Sequence, residues 1–244
     1  MRSIAVLQHE ALQGPDFLAH CLQQQGWSTR IFRPDKGEPV PRQARDFAGL
    51  VVLGSDHSVH DHLDWIATER ALLADALAHD VPVLGHCFGA QQLAVAAGGS
   101  VCRNAWPNIG WSRVWLTPDA REMFLGAAEL QVFNWHYDTF ALPPGARRTM
   151  YGAHCLNKGY RLGPHLGFQC HLEVTEDGVR RWCESGRAEI AAHPGPAVQT
   201  RSELLRDLPL RARQLQRFAR EAYRRWAESL PRPPVSFAGG VARF

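Results

Sequence analysis

No apolar run in the sequence approaches the roughly 18 residues that a helical membrane span needs, so no membrane association is expected. The chain begins Met1-Arg2-Ser3-Ile4-Ala5-Val6-Leu7-Gln8 and enters a strand-like run directly, without the pattern of a cleavable signal; a cytoplasmic location is the expectation. The six cysteines (Cys21, Cys87, Cys102, Cys155, Cys170 and Cys183) contain no C-x-x-C pair, and a chain of 244 residues is too long to need disulfide staples. Reduced thiols are expected, and each cysteine has to be judged singly. Charge of one sign is missing too: 27 Lys and Arg against 24 Asp and Glu leave a net charge of +3, which makes no electrostatic case for nucleic acid. Neither G-x-x-x-x-G-K-[ST] nor G-x-G-x-x-G occurs, so no ATP or dinucleotide cofactor is expected. Internal repeats and low-complexity segments are absent as well.

Hydrophobic residues make up 45% of the chain and charged residues 21%, enough apolar matter for a full core. One domain is expected over residues 1–230, ended by Pro231-Arg232-Pro233-Pro234 and followed by a tail, 231–244. The first 105 residues alternate short apolar runs with helical patterns, the signature of an α/β fold with a parallel sheet covered by helices. Strands are expected at 3–7, 27–32, 47–53 and 81–85, with helices at 16–25, 65–79 and 88–97. In the helix over 65–79 the predicted apolar stripe is Ile66, Ala67, Arg70/Ala71, Leu73/Ala74 and Leu77. From Gly99 to about Gln169, short strands divided by Pro and Gly dominate (113–116, 130–133, 147–151, 166–169), suggesting a β-rich continuation of the same sheet. Helices over 176–192 and 202–229 close the chain. The second is Arg-rich, with Leu, Phe and Tyr among the charges, and reads as a solvated amphipathic helix on the core.

The chemistry concentrates at the fourth strand. Val83-Leu84-Gly85-His86-Cys87-Phe88-Gly89-Ala90-Gln91 sets a cysteine between two glycines at a strand-to-helix junction, the tight turn that projects a nucleophile out of a sheet. Cys87 would stand at the N-terminus of the following helix, where free N–H groups and the helix dipole favour a thiolate. A nucleophilic cysteine needs a base and a group that orients it. Phe168-Gln169-Cys170-His171-Leu172-Glu173 offers both: on an extended segment His171 and Glu173 share a face, so that a carboxylate can hold one ring nitrogen while the other meets Cys87. Cys170, alternating away from His171, is expected in the core as a small hydrophobe.

These stretches, together with Val51-Val52-Leu53-Gly54, Ile109-Gly110-Trp111 and Trp135-His136-Tyr137-Asp138-Thr139-Phe140, resemble class I glutamine amidotransferases of the Cys-His-Glu type. They run in the family's order and cover roughly residues 3 to 230; the nearest look is to stand-alone members similar to the amidotransferase domain of GMP synthetase. The resemblance implies a three-layer flavodoxin-like fold with a mostly parallel central sheet and a catalytic triad of Cys87, His171 and Glu173. It implies an oxyanion hole from the backbone N–H groups of Phe88 and of Ser55, the residue after Gly54. Gly54, Gln91 and the run Trp135, His136 and Tyr137 carry over as substrate-binding candidates. Glutamine or another small γ-glutamyl amide is the implied substrate, cleaved through a cysteine thioester.

Three departures bear on that substrate. Gly54-Ser55 stands where the family usually has two glycines, Tyr137 where it has a glycine, and His86 replaces a common aliphatic residue before the nucleophile. Since no ATP site accompanies these motifs, either a separate synthetase takes the ammonia or the chain acts as a γ-glutamyl peptidase or hydrolase. A catalytically silent binding or regulatory protein of the same fold is the rival of a different class. His57, His60 and His62 with Asp56, Asp61 and Asp64 have a spacing that fits no common metal motif, so a solvated loop is expected there and no metal. His136 either lines the pocket or serves as a satisfied structural residue beside Trp135.

Overall fold

The computed structural model describes residues 2–231; residues 232–244, most of the expected tail, lie outside the described residues. Nine strands form one sheet: β1 (Ile4–Leu7), β2 (Thr29–Phe32), β3 (Gly49–Val52), β4 (Val83–His86), β5 (Val101–Leu116), β6 (Glu129–Phe140), β7 (Arg147–Gly152), β8 (Gly159–Leu162) and β9 (His165–Phe168). Their order is β2-β1-β3-β4-β9-β8-β7-β5-β6. The first five in that order are mutually parallel, and the remaining four continue the sheet antiparallel. The helices are α1 (Asp16–Gln24), α2 (Asp64–Ala78), α3 (Phe88–Ala96), α4 (Glu176–Ser185), α5 (Arg187–Ala192), α6 (Arg201–Leu205) and α7 (Leu208–Ala227).

The three layers follow from the two-residue period of the buried strands. Along β1, Ile4 and Val6 enter one apolar cluster with Leu18 of α1 and Tyr223 and Trp226 of α7, while Ala5 and Leu7 enter a second with Leu72 of α2 and Leu93 of α3. Because both faces are covered, β1, β3 and β4 are apolar at nearly every position. On α7 the buried face is Leu208, Ala212, Leu215, Ala219, Ala222, Tyr223, Trp226 and Ala227, which leaves most of its arginines outward.

The structure corrects the sequence expectations in several places. The strand expected at 113–116 reaches back to Val101, and β8 carried no signal of its own. The helix expected over 176–192 breaks at Gly186, where a side chain would collide with the Trp135 indole. That over 202–229 breaks at Arg206 and Asp207, the latter at φ +52°. In α2 the buried face is Ile66, Glu69, Leu72, Leu73 and Ala76, so Ala67, Ala71 and Ala74 of the expected stripe face outward. A fully buried glutamate on that face hid its true position.

One close approach sets the heart of the fold. A side chain at Gly89 of α3 would strike the Val52 backbone carbonyl of β3, and one at Gly85 would come within 2.6 Å of the Ala90 nitrogen. Gly89→Ala should therefore force helix and strand apart and cost about 1–3 kcal/mol, as overpacking commonly does. Urea unfolding of that variant checks this: an unchanged midpoint would contradict the close approach.

Candidate active site

Cys87 occupies the turn between β4 and α3 with φ +50° and ψ −109°, a left-handed conformation that costs a non-glycine residue about 1–3 kcal/mol. Its N–H is tied to the Phe168 carbonyl of β9 at 2.7 Å, and the two flanking glycines admit the turn. The side chain is thus held at the carboxyl ends of the parallel strands, where open α/β sheets place their sites. Its Sγ lies 3.6 Å from the Trp135 carbonyl oxygen and 3.7 Å from the Gln169 amide nitrogen.

After β9 the chain bends, and His171 is fastened to β6 through its N–H and the Phe133 carbonyl (2.9 Å). His171 Nδ1 donates to Glu173 Oε1 at 2.6 Å, and its ring stands edge-on to Trp182 at 4.7 Å. All three side chains are nearly inaccessible to water. Burial works against a charge on His171, but the Glu173 carboxylate and the Cys87 sulfur outweigh it, and the imidazole pKa is raised to about 10. Burial likewise opposes the Glu173 charge, yet the imidazoles of His86 and His171 draw its carboxyl below the usual range. Of these two, His171 carries the countercharge, because burial holds His86 below its ordinary value.

His86 extends this arrangement to α7. Its Nδ1 lies 3.3 Å from the Cys170 carbonyl oxygen and equally far from Glu173 Oε2, and its Nε2 accepts from the Tyr223 hydroxyl at 3.2 Å. Glu173 Oε2 itself has no hydrogen bond of acceptable geometry among the described residues. Cys170 is in the core, its thiol pushed up to about 12 by burial.

The N–H groups of Ser55 and Phe88 have no acceptor among the described residues, and both residues line the cavity that holds Cys87. Gly54 is required by crowding: a side chain there would come within 2.9 Å of His171 Cε1. Ser55, Phe88, Gln91, Trp135, His136 and Tyr137 all line one cavity of about 360 Å³ with Cys87. Gln91 spends its amide N–H groups on the Asp138 carbonyl (3.1 Å) and Gln169 Oε1 (3.2 Å), leaving its carbonyl oxygen for a ligand. His136 has both nitrogens engaged, with the Asp138 carbonyl (2.9 Å) and Nζ of the buried Lys158 (2.7 Å), whose pKa burial lowers; His136 is a neutral structural ring, pushed well below its ordinary pKa by burial and by Lys158. Tyr137 donates to Glu189 Oε1 of α5 at 2.5 Å under the Arg103 guanidinium, 4.4 Å above its ring.

A second lobe of about 260 Å³ shares Ser55, Asp56, Trp135 and Glu189 with the first and is completed by Glu10, Gln13, Trp182 and Gly186. Sequence reasoning missed Glu189, Gln169 and Lys158, which no local motif marks. In the loop after Gly54, His57 pairs with Asp61 (3.1 Å) and His60 bonds the Val101 carbonyl (3.0 Å). Among the described residues no group of three His, Cys, Asp or Glu is placed to hold a metal ion.

A folded pKa of about 10 against an ordinary 6.5 means that the His171 charge stabilises the fold fully below about 6.5 and loses that effect as pH rises toward 10. Nitrogen-15 NMR of the ring should show protonation persisting well above pH 8, with the midpoint falling in Glu173→Gln. A His171 midpoint near 6.5 in the wild type would contradict the charged pair.

The sequence profile described as glutamine amidotransferase class-I matches residues 15–179. A solved structure of a glutamine amido transferase from Methylobacillus flagellatus superposes with a TM-score of 0.92, at 39% identity over 96% of this chain and 97% of that one. A glutamine amidotransferase-like protein of Salmonella typhimurium is 26% identical over 196 residues, 77% of this chain and 82% of its own length. Gamma-glutamyl peptidase 4 of Arabidopsis thaliana is 29% identical over 165 residues, 64% of this chain and 66% of its own. With a profile match across two thirds of its length and a shared fold across nearly all of it, this chain belongs to the class I glutamine amidotransferase family.

Proposed function

We propose that the chain hydrolyses a γ-glutamyl amide through a covalent thioester on Cys87. The observation that carries this reading is the strained turn that presents Cys87 beside a buried His171 and Glu173 joined at 2.6 Å. In the free site the proton resides on His171 and the sulfur is the nucleophile. Cys87 Sγ attacks the amide carbon, and the carbonyl oxygen takes the electron pair and meets the N–H groups of Ser55 and Phe88. As the C–N bond breaks, His171 gives its proton to the departing nitrogen. Water then adds to the thioester carbon with its proton passing to His171, and the C–S bond breaks to release glutamate and restore the ion pair. Glu173 keeps Nδ1 of His171 as the donor to itself and Nε2 as the nitrogen that serves Cys87.

Glutamine is the simplest substrate for this chemistry, its ammonia being released or passed to a separate synthetase. The second lobe supports another reading, a γ-glutamyl peptide or amine as substrate. It adjoins the Cys87 cavity and gives room for a leaving group larger than ammonia. Tyr137, tied to Glu189 on the wall common to both lobes, is positioned to set that choice.

Glutamine, γ-glutamyl dipeptides and glutathione conjugates should be assayed for ammonia, amine and glutamate. Cys87→Ala should abolish release from whichever substrate is cleaved; unchanged turnover would refute the reading. Tyr137→Gly should shift the ratio of kcat/KM between glutamine and bulkier γ-glutamyl substrates by roughly tenfold, the effect of about 1–3 kcal/mol for one lost wall or hydrogen bond. A lowered Tm with an unchanged ratio would confine Tyr137 to packing.

A further inference from the structure

Behind the free Ser55 N–H lies a buried pair that the mechanism above does not use. His9, just past β1, and Glu69, on the inward face of α2, are both fully buried, with His9 Nε2 2.7 Å from Glu69 Oε2. The other ring nitrogen, Nδ1, is 3.1 Å from the Gly54 carbonyl oxygen. The Gly54 carbonyl and a Glu69 carboxylate both accept, and a neutral imidazole carries only one N–H, so against a carboxylate the ring is doubly protonated. The ring is also fixed in place. It stacks on Trp65 at 4.9 Å and meets the Phe88 ring edge-on at 5.1 Å.

The Gly54 carbonyl and the Ser55 N–H belong to one planar trans peptide and point in opposite directions. A donor that anchors the carbonyl on one side therefore aims the N–H to the other. Glycine is conformationally free, and a side chain at 54 would crowd Gln13 and the His171 ring, so this peptide needs an external anchor to keep one orientation. We propose that His9, charged against Glu69, is a positioning residue that clamps the Gly54–Ser55 peptide so that the Ser55 N–H faces the developing oxyanion at Cys87. The role rests on the γ-glutamyl hydrolase reading; the clamp geometry does not.

Burial opposes the charge on His9, but Glu69 and the Gly54 carbonyl outweigh it and its pKa is raised, in keeping with two donated hydrogen bonds. The purely structural alternative is that the pair only ties β1 to α2, in which case its loss would weaken folding and every reaction of Cys87 alike.

Two variants separate the roles. In His9→Gln the side-chain amide reaches Glu69 but leaves the Gly54 carbonyl without a donor. In His9→Asn combined with Glu69→Leu the shorter amide takes the place of Nδ1 and no unpaired carboxylate remains. His9→Gln should lower kcat by about 10- to 100-fold, less than the roughly 100- to 1000-fold that follows outright removal of one oxyanion donor because the Ser55 N–H is misaimed and not deleted, with KM little changed. Alkylation of Cys87 by iodoacetamide, read on the peptide that carries it, should keep its rate because that displacement builds no oxyanion. The Asn/Leu variant should retain most of kcat. A wild-type kcat in His9→Gln, a parallel loss of alkylation, or no recovery in the Asn/Leu variant would overturn the clamp. If the wild type cleaves no γ-glutamyl amide, the functional reading fails instead, and crystal structures of the two variants still decide the clamp. A rotated Gly54–Ser55 peptide in His9→Gln, retained in the Asn/Leu variant, supports it; an unmoved peptide in His9→Gln overturns it.

Discussion

The left-handed backbone at Cys87 is the constraint around which the remainder of the site is arranged. A cysteine at φ +50° is strained, and it persists only because β3, β4 and α3 approach so closely that Gly85 and Gly89 admit no side chain. The same turn opens α3 at Phe88, whose N–H has no acceptor among the described residues. Strand β9, paired with β4, delivers the chain to His171 and Glu173. A site assembled in this way requires the parallel half of the sheet to be rigid, and its strands are sealed by apolar clusters on both faces.

Electrostatics within that rigid frame favour a preformed ion pair. His171, Glu173 and Cys87 are almost wholly withdrawn from water, so the charges on His171 and Glu173 are held by each other and not by solvent. His86 and Tyr223 continue the polar contacts from the carboxylate region to α7, linking the final long helix to the chemistry. A second buried polar cluster, where Lys158 Nζ meets Asn108, Asn134 and His136, braces the strand that carries Trp135 and Tyr137.

Much of this was legible in the sequence, for reasons that differ along the chain. The parallel strands announce themselves because burial on both faces makes 50–53 and 83–84 continuously apolar. Cys87 stands out because a strained turn demands glycines at fixed offsets. The His171–Glu173 pair was readable because two residues suffice to bring their side chains to one side, even though the segment bends and does not continue β9. The antiparallel half was less clear: β8 has four residues, and β5 contains Pro107 and a register shift between Arg103 and Asn108 that disguise one long strand as a short one. Glu69, Lys158 and Glu189 were hidden because charged side chains spaced for a helix or loop read as solvated, and only tertiary packing shows that Glu69 and Lys158 are buried and that Glu189 meets Tyr137.

The central claim is that Cys87 carries the γ-glutamyl group during turnover. Acid quenching of the wild-type enzyme while it cleaves a γ-glutamyl amide, followed by peptide mass spectrometry, tests this directly. The account predicts a γ-glutamyl adduct on the peptide containing Cys87 that disappears as substrate is exhausted. Turnover with no adduct there, or with the adduct on another cysteine such as the exposed Cys102, would contradict it.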